Sequence, residues 1–282
     1  MAEVLKGAPV AAAITEGLIS RTRLLVERGI TPCLAILRVG ERVDDLSYER
    51  VALKRCESIG IRTVCIALPL SCTQDELLTA IDGINRDSTV HGCLMFRPLP
   101  PHLDELAVSD ALLPEKDIDC MTPRSLAAVF SGKGRGFAPC TPQACVELLD
   151  YYGIPIRGKN IVVIGRSLVI GKPLSMLLQN RDATVTVCHT GTVGIEGICR
   201  RADILVAAAG KAGLVDTRFV HPDQVVIDVG VNAAPGGGIC GDVQFDAVSP
   251  MVKAISPVPG GVGSITATVL CKHILEAAEA SL

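Results

Sequence analysis

Two glycines and two basic residues fall within the stretch IVVIGRSLVIGKP, residues Ile161 to Pro173, a combination suited to holding a phosphate. Ile161 to Ile164 have the length and β-branched content of a buried strand, and Gly165 ends the run at once. Gly171 frees the backbone a second time, and Pro173 fits the first turn of a helix, where a missing N–H is no loss. Strand, tight loop and helix in that order aim unpaired helix N–H groups, and the positive end of the helix dipole, at the strand's carboxyl edge. Arg166 and Lys172 add charge of the sign a phosphate requires. Five residues separate the two glycines, so the G-x-G-x-x-G dinucleotide fingerprint is half met. The same pattern also reads as an ordinary strand-to-helix turn.

The other reactive residue types point elsewhere. Twelve cysteines are scattered from Cys33 to Cys271 without a single C-x-x-C pair, so the spacing of a zinc site is absent and no metal is expected. Scattered cysteines of this kind read as small buried hydrophobes kept reduced. A net charge of -3 gives no broad attraction to nucleic acid or anionic membrane, and three Tyr, five Phe and no Trp provide no base-stacking platform. The opening MAEVLKGAPV lacks the charged and apolar regions of a leader, and no apolar run approaches the roughly 20 residues that cross a bilayer. The expectation is a cytosolic, small-molecule enzyme.

The elements that position these residues alternate. Ala8 to Arg28 reads as a helix, Cys33 to Val39 as a strand, Asp44 to Ser58 as a helix and Thr63 to Leu68 as a strand. Gln74 to Asn85 is an amphipathic helix and Gly92 to Phe96 a short strand, after which Pro98-Leu99-Pro100-Pro101 forms a rigid loop. Leu103 to Val129 is helical but interrupted by PEKDIDCMTP, and Ser131 to Gly136 is a glycine-rich loop. A boundary near Pro139 precedes a helix starting around Pro142 with Thr141 as its cap. Four short strands follow, at Ile161 to Ile164, Thr184 to Cys188, Ile204 to Ala207 and Val225 to Val229. PVPGGVGS, Pro257 to Ser264, is a loop with accessible backbone, and Ile265 to Ala280 closes the chain as a helix. With 282 residues and this βαβ rhythm, two α/β domains built on parallel sheets are expected.

With the chain laid out, it resembles the methylenetetrahydrofolate dehydrogenase/cyclohydrolase family over essentially its whole length. The ordered set SYERVALK, RPLPPH, PEKDID, PCTPQA, VIGRSLVIGKP, VCHTGT, ADILVAAAGK, VIDVGVN, GDV and PVPGGVGSIT carries the resemblance. It implies an N-terminal three-layer α/β substrate domain plus a C-terminal Rossmann-type dinucleotide-binding domain. The expected division is 1–138, completed by a returning helix 269–282, against 139–268. It further implies NADP-linked oxidation of 5,10-methylenetetrahydrofolate to 5,10-methenyltetrahydrofolate in one-carbon metabolism, often followed by hydrolysis, in a homodimer. By the same resemblance, Tyr48 matches the tyrosine that packs on the folate and places its reacting carbon, and Asp119 the carboxylate that receives the pterin's amide and amino edge. Read from their surroundings alone, these would be a half-buried helix tyrosine and a loop N-cap. Gly165, Arg166, Ser167 and Gly171 match the cofactor loop, Thr190 and Val231 positions near the ribose and nicotinamide, and Pro259, Gly260 and Gly261 backbone bordering the folate.

Two residues depart from the family. A lysine is implied four residues after the tyrosine, on the same helix face, and Ala52 stands there. Lys54, six residues on, is rotated by about 240°, and Arg55, a turn further along, holds its proton too firmly for acid–base work. Phe96 stands where a glutamine would bond that lysine. Dehydrogenation is therefore expected with cyclohydrolase weak or absent. A silent NADP- or folate-binding paralogue, or a related dehydrogenase with an altered substrate, are the alternatives. An NAD-preferring domain carries an acidic residue about 20 residues past its glycine loop. Here Cys188-His189-Thr190-Gly191-Thr192 has none, and Arg166 is available for a 2′-phosphate, so NADP is expected.

Overall fold

The computed structural model describes residues 2–134, 136–234 and 236–282. Arg135, inside the glycine-rich loop expected at Ser131 to Gly136, lies outside the described residues. The chain forms two compact units: residues up to Ala12 with Thr141–Thr266, and Ala13–Cys140 with Ala267–Leu282.

The chain opens with β1 (Glu3–Val4) and α1 (Gly7–Glu27). β2 (Cys33–Val39), α2 (Val43–Ile59), β3 (Arg62–Leu68), α3 (Gln74–Arg86) and β4 (Gly92–Met95) then build a parallel sheet in the order β3-β2-β4. Central β2 is buried on both faces, which is why it reads as a continuous apolar run. Its odd residues, Cys33, Ala35 and Leu37, share a core with Leu77, Ile81 and Ile84, the apolar stripe of α3 at helical spacing. Thr73 and Glu76 close a reciprocal capping box at the start of α3. The interrupted stretch after residue 103 resolves into α4 (Glu105–Ala111) and α5 (Pro123–Ser131), each capped by a side chain, Asp104 and Thr122.

The other unit contains α6 (Cys140–Tyr151) from its second residue onward, then β5 (Asn160–Ile164), α7 (Gly171–Gln179), β6 (Thr184–Cys188), α8 (Ile195–Cys199), β7 (Ile204–Ala207) and β8 (Val225–Asp228). A hairpin of β9 (Asn232–Ala233) and β10 (Ile239–Cys240) precedes α9 (Phe245–Val248) and β11 (Ala254–Ile255). The sheet is parallel and six-stranded, in the order β1-β11-β8-β7-β5-β6. Two of its strands, β1 and β11, are two residues each, too short for periodicity to reveal.

That pairing corrects the expected first segment, 1–138. Glu3 and Val4 register with Ala254 and Ile255, and Leu5 donates its N–H to the Ile255 carbonyl at 2.8 Å, so the N-terminus belongs to the six-stranded unit. α10 (Thr266–Glu279) lies, from Ala267, with the three-stranded unit. There Val269, Leu270, Ile274 and Leu275 are fully buried, and His273 Nδ1 donates to the Ile118 carbonyl at 2.9 Å. Arg21 makes a fork of 2.8 and 2.6 Å hydrogen bonds to Glu279.

Candidate active site

In the three-stranded unit the candidate side chains gather around α2 and the segment after β4. Tyr48 is half-buried on α2, its ring 6.1 Å from Phe96 at an interplanar angle of 83°, an edge-to-face pair. Ala52, one turn along, has no exposed surface. Lys54 is exposed, as its rotation from Tyr48 requires, and Arg55 Nη1 donates to Thr15 Oγ1 at 3.4 Å.

Asp119 is presented by a tight reversal. Fully buried Asp117 accepts the N–H groups of Met121 and Thr122, both at 2.8 Å, and Cys120 takes a left-handed conformation, φ 57, uncommon outside glycine. Asp119 Oδ1 then accepts the Cys140 N–H at 2.9 Å. This bond explains why α6 starts at Cys140 rather than at Pro142 with Thr141 as cap: the acceptor comes from 21 residues upstream. Asp119 is thus a helix cap, but a carboxylate offers about four lone-pair positions, so capping leaves acceptor capacity for a ligand. Burial pushes its carboxyl up, while the Cys140 donors and the charge of Arg97 pull it down. Arg97 is itself 3.6 Å from Glu105.

In the six-stranded unit the chain runs from β5 to its neighbour β6, then crosses to β7 on the other side of β5. Ligands of open parallel sheets lie outside the strands' carboxyl ends at this kind of reversal. The loop after β5 forms one wall. Gly165 has φ 124, and a Cβ there would strike the Ala208 carbonyl. A Cβ on Gly171 would strike the Gly165 carbonyl, so both positions exclude side chains. α7 starts at Gly171 without a side-chain cap, and Ser167 Oγ accepts the Ile170 N–H at 3.1 Å within the loop. Arg166, Ser167 and Lys172 are exposed.

The remaining residues expected here are distributed along the same edge. Thr190 is exposed in the turn after β6, where the His189 N–H reaches Thr192 Oγ1 at 2.9 Å. Val231, 67% exposed, follows β8. Pro259 and Gly260 are exposed and Gly261 buried in the loop after β11, where the Gly260 carbonyl accepts the Gly7 N–H at 2.8 Å. These three lie in the six-stranded unit, whereas Tyr48 and Asp119 lie in the other. Among the described residues, no group of three or more His, Cys, Asp or Glu is placed to hold a metal ion.

Sequence reasoning missed three buried carboxylates. Asp117 sat within PEKDID, and Asp228 and Asp242 within VIDVGVN and GDV, without a role. Asp228 ends β8 and accepts the N–H groups of Gly230, Asp242 and Val243 at 2.9 to 3.0 Å. Burial pushes its carboxyl up to about 6 against the pull of those donors. An aspartate ending an apolar strand two residues before a glycine was the available signal.

Known proteins share this arrangement. Residues 5–119 match the model of the tetrahydrofolate dehydrogenase/cyclohydrolase catalytic domain, and residues 139–282 that of the family's NAD(P)-binding domain. The bifunctional protein FolD of Clostridioides difficile is 49% identical over 275 residues, 98% of this chain and 96% of the relative. The crystal structure of the Campylobacter jejuni bifunctional enzyme FolD, a methylenetetrahydrofolate dehydrogenase/cyclohydrolase, superposes with a TM-score of 0.97 at 36% identity, covering 100% of both chains. The Trypanosoma brucei methylenetetrahydrofolate dehydrogenase-cyclohydrolase, solved with NADP cofactor and an inhibitor, gives a TM-score of 0.92 at 37% identity over 99% of this chain and 98% of that one. With both domain models matched in order and full-length relatives near half identity, the chain belongs to the tetrahydrofolate dehydrogenase/cyclohydrolase family.

Proposed function

We propose that this chain oxidises 5,10-methylenetetrahydrofolate to 5,10-methenyltetrahydrofolate with NADP as acceptor, and that its cyclohydrolase activity is weak or absent. One observation carries the second half: Ala52, fully buried, fills the position one turn beyond Tyr48 where an acid–base group would stand. The cofactor half rests on the loop after β5, whose close-packed glycines leave backbone for a pyrophosphate at an uncapped helix start. Arg166 is exposed there for a 2′-phosphate, and residues 188–192 bring no carboxylate against it. The NADP complex of the trypanosomal relative supports the same cofactor.

In this reading NADP, when bound, supplies the nicotinamide that accepts a hydride. Gly165, Arg166, Ser167 and Gly171 would hold its phosphates, Thr190 its ribose and Val231 its nicotinamide. Tyr48 packs on the folate and aims its methylene carbon, Asp119 receives the pterin's paired donors, and Pro259, Gly260 and Gly261 border the ring. The C–H bond breaks with both electrons leaving, and the two flanking nitrogens share the resulting positive charge. No proton is donated, so positioning suffices and the loss of a lysine is tolerated. Hydrolysis differs, because a proton must leave the attacking water and another must reach the departing nitrogen. Phe96 against Tyr48 offers neither donor nor acceptor for that traffic.

We propose further that the enzyme works in the cytosol, as the homodimer that its family resemblance implies. Twelve free cysteines, ten of them buried, accord with a reducing compartment. No helix among the described residues is long and apolar enough to cross a membrane. The deciding experiment follows NADPH formation from methylenetetrahydrofolate and, separately, decay of methenyltetrahydrofolate in a buffer that does not catalyse it. NADPH formation without enzyme-dependent decay is the expected result. Binding of both ligands without NADPH formation would mark a silent paralogue, and decay as fast as hydride transfer would reject the uncoupling.

A further inference from the structure

Asp242 follows β10 with no exposed surface, and its two oxygens take four donors. Oδ2 accepts the N–H groups of Ala209 at 2.6 Å and Gly210 at 3.0 Å. Oδ1 accepts the Lys211 N–H at 2.8 Å and Asn232 Nδ2 at 2.9 Å. Three successive amides are thus tied to one buried carboxylate. They belong to the loop after β7, which adjoins the loop after β5 where the strand order reverses, and Ala208 at its start is the residue whose carbonyl packs on Gly165.

Asp242 is itself fixed from behind. Its own N–H donates to Asp228 Oδ1 at 3.0 Å, and the Val243 N–H donates to Asp228 Oδ2 at 2.9 Å. A Cβ on Gly230 would run into the Asp242 carboxylate, and one on Gly241 into that of Asp228. The arrangement leaves no room for a side chain to loosen it. Charge-assisted hydrogen bonds are roughly twice as strong as neutral ones, so the anion holds the loop more firmly than an amide could.

We propose that Asp242 is a positioning residue for the dinucleotide. It sets the Ala209–Lys211 loop in the conformation that borders the cofactor beside the loop after β5 and touches the cofactor nowhere itself. The inference rests on the NADP reading above, and the measurements separate the two: a wild-type protein that binds no NADP removes that reading and this inference with it.

The test is Asp242→Asn, which preserves shape but turns a donor toward two of the four donors now bonded. NADP Kd and NADP KM should weaken by about ten- to a hundredfold, while the KM for methylenetetrahydrofolate stays within about twofold and kcat at saturating NADP falls less than KM rises. The double variant Asp242→Asn with Asn232→Asp restores one donor–acceptor pair between the two side chains and should recover part of the lost affinity. A role in stability alone would lower the melting temperature without moving the NADP constants. An NADP Kd within about twofold of wild type, a parallel loss of folate affinity, or a double variant no better than the single one would each overturn the proposal. Should Asp242→Asn fail to fold, Asn232→Ala decides: several-fold weaker NADP binding supports the role, and unchanged binding rejects it.

Discussion

Asp119 carries two duties that one substitution can separate from another. It caps α6 through the Cys140 N–H and, in the proposed function, receives the pterin edge. Asp119→Ala removes both, costing about 1 kcal/mol of helix capping and about 1.5 to 3 kcal/mol of folate binding. Asp119→Asn keeps an acceptor for the cap and loses the charge, so folate affinity should fall with little change in melting temperature, and NADP affinity should hold in both variants. Paired ligand titrations check this, and equal loss of both ligands in Asp119→Asn would make the residue structural only. At position 52 the environment matters as much as the chemistry. A lysine alone would be a buried cation, with the apolar Phe96 where the implied glutamine would bond it. Ala52→Lys with Phe96→Gln should therefore raise methenyltetrahydrofolate decay by about 10²-fold or more, whereas either single variant should do little.

Among the elements, the ends of β6 and β8 carry the most testable chemistry. Because the turn after β6 has no carboxylate and the loop after β5 presents Arg166, NADP should bind more tightly than NAD, and Arg166→Ser should narrow the difference by about tenfold or more. Competing titrations read this directly, and a wild-type preference for NAD would remove the assignment. At the end of β8, burial raises Asp228 to about 6, above the ~3.9 of an unfolded chain. Between those values the folded protein holds a proton that the unfolded chain has released. The stability contributed is therefore full below about pH 4 and is lost as pH rises through about 6. Asp228→Asn lacks the titration, so the stability of wild type relative to the variant should fall by roughly 2 kcal/mol from pH 4 to pH 7. Urea midpoints across that range measure it. A flat difference would mean that the three amide donors keep Asp228 ionised throughout.

At the scale of the whole molecule, the chain passes between its two units after Ala12, Cys140 and Thr266. The last passage matters most for stability. Val269, Leu270, Ile274 and Leu275 of α10 are fully buried in the three-stranded unit, beside the His273 bond to Ile118 and the stacking of His273 on Phe137 at 5.0 Å. Burying each such apolar side chain contributes about 1.5 to 3 kcal/mol, and four of them approach the roughly 5 to 15 kcal/mol that holds a domain folded. A chain ending at Thr266 should lose fixed tertiary structure in the three-stranded unit, although more than a hundred residues separate α10 from most of it. Near-ultraviolet circular dichroism and hydrogen exchange of β2 amides would show the loss, and full protection of β2 would contradict it.

The sequence alone determined what depends on local pattern and residue identity. Apolar periodicity marked the longer helices and strands, the two glycines marked the loop after β5, and an ordered set of motifs pointed to the family and exposed the missing lysine at Ala52. The tertiary structure decided whatever joins distant residues. β1 is two residues with no periodicity, and only its register with β11 reveals it as a strand. The start of α6 depends on Asp119, and the conformation of the loop after β7 on Asp242, 31 to 33 residues ahead. Neither of these two hydrogen-bonded pairings leaves a trace in the pattern around its partners. Such contacts become visible only when folding brings the two segments together.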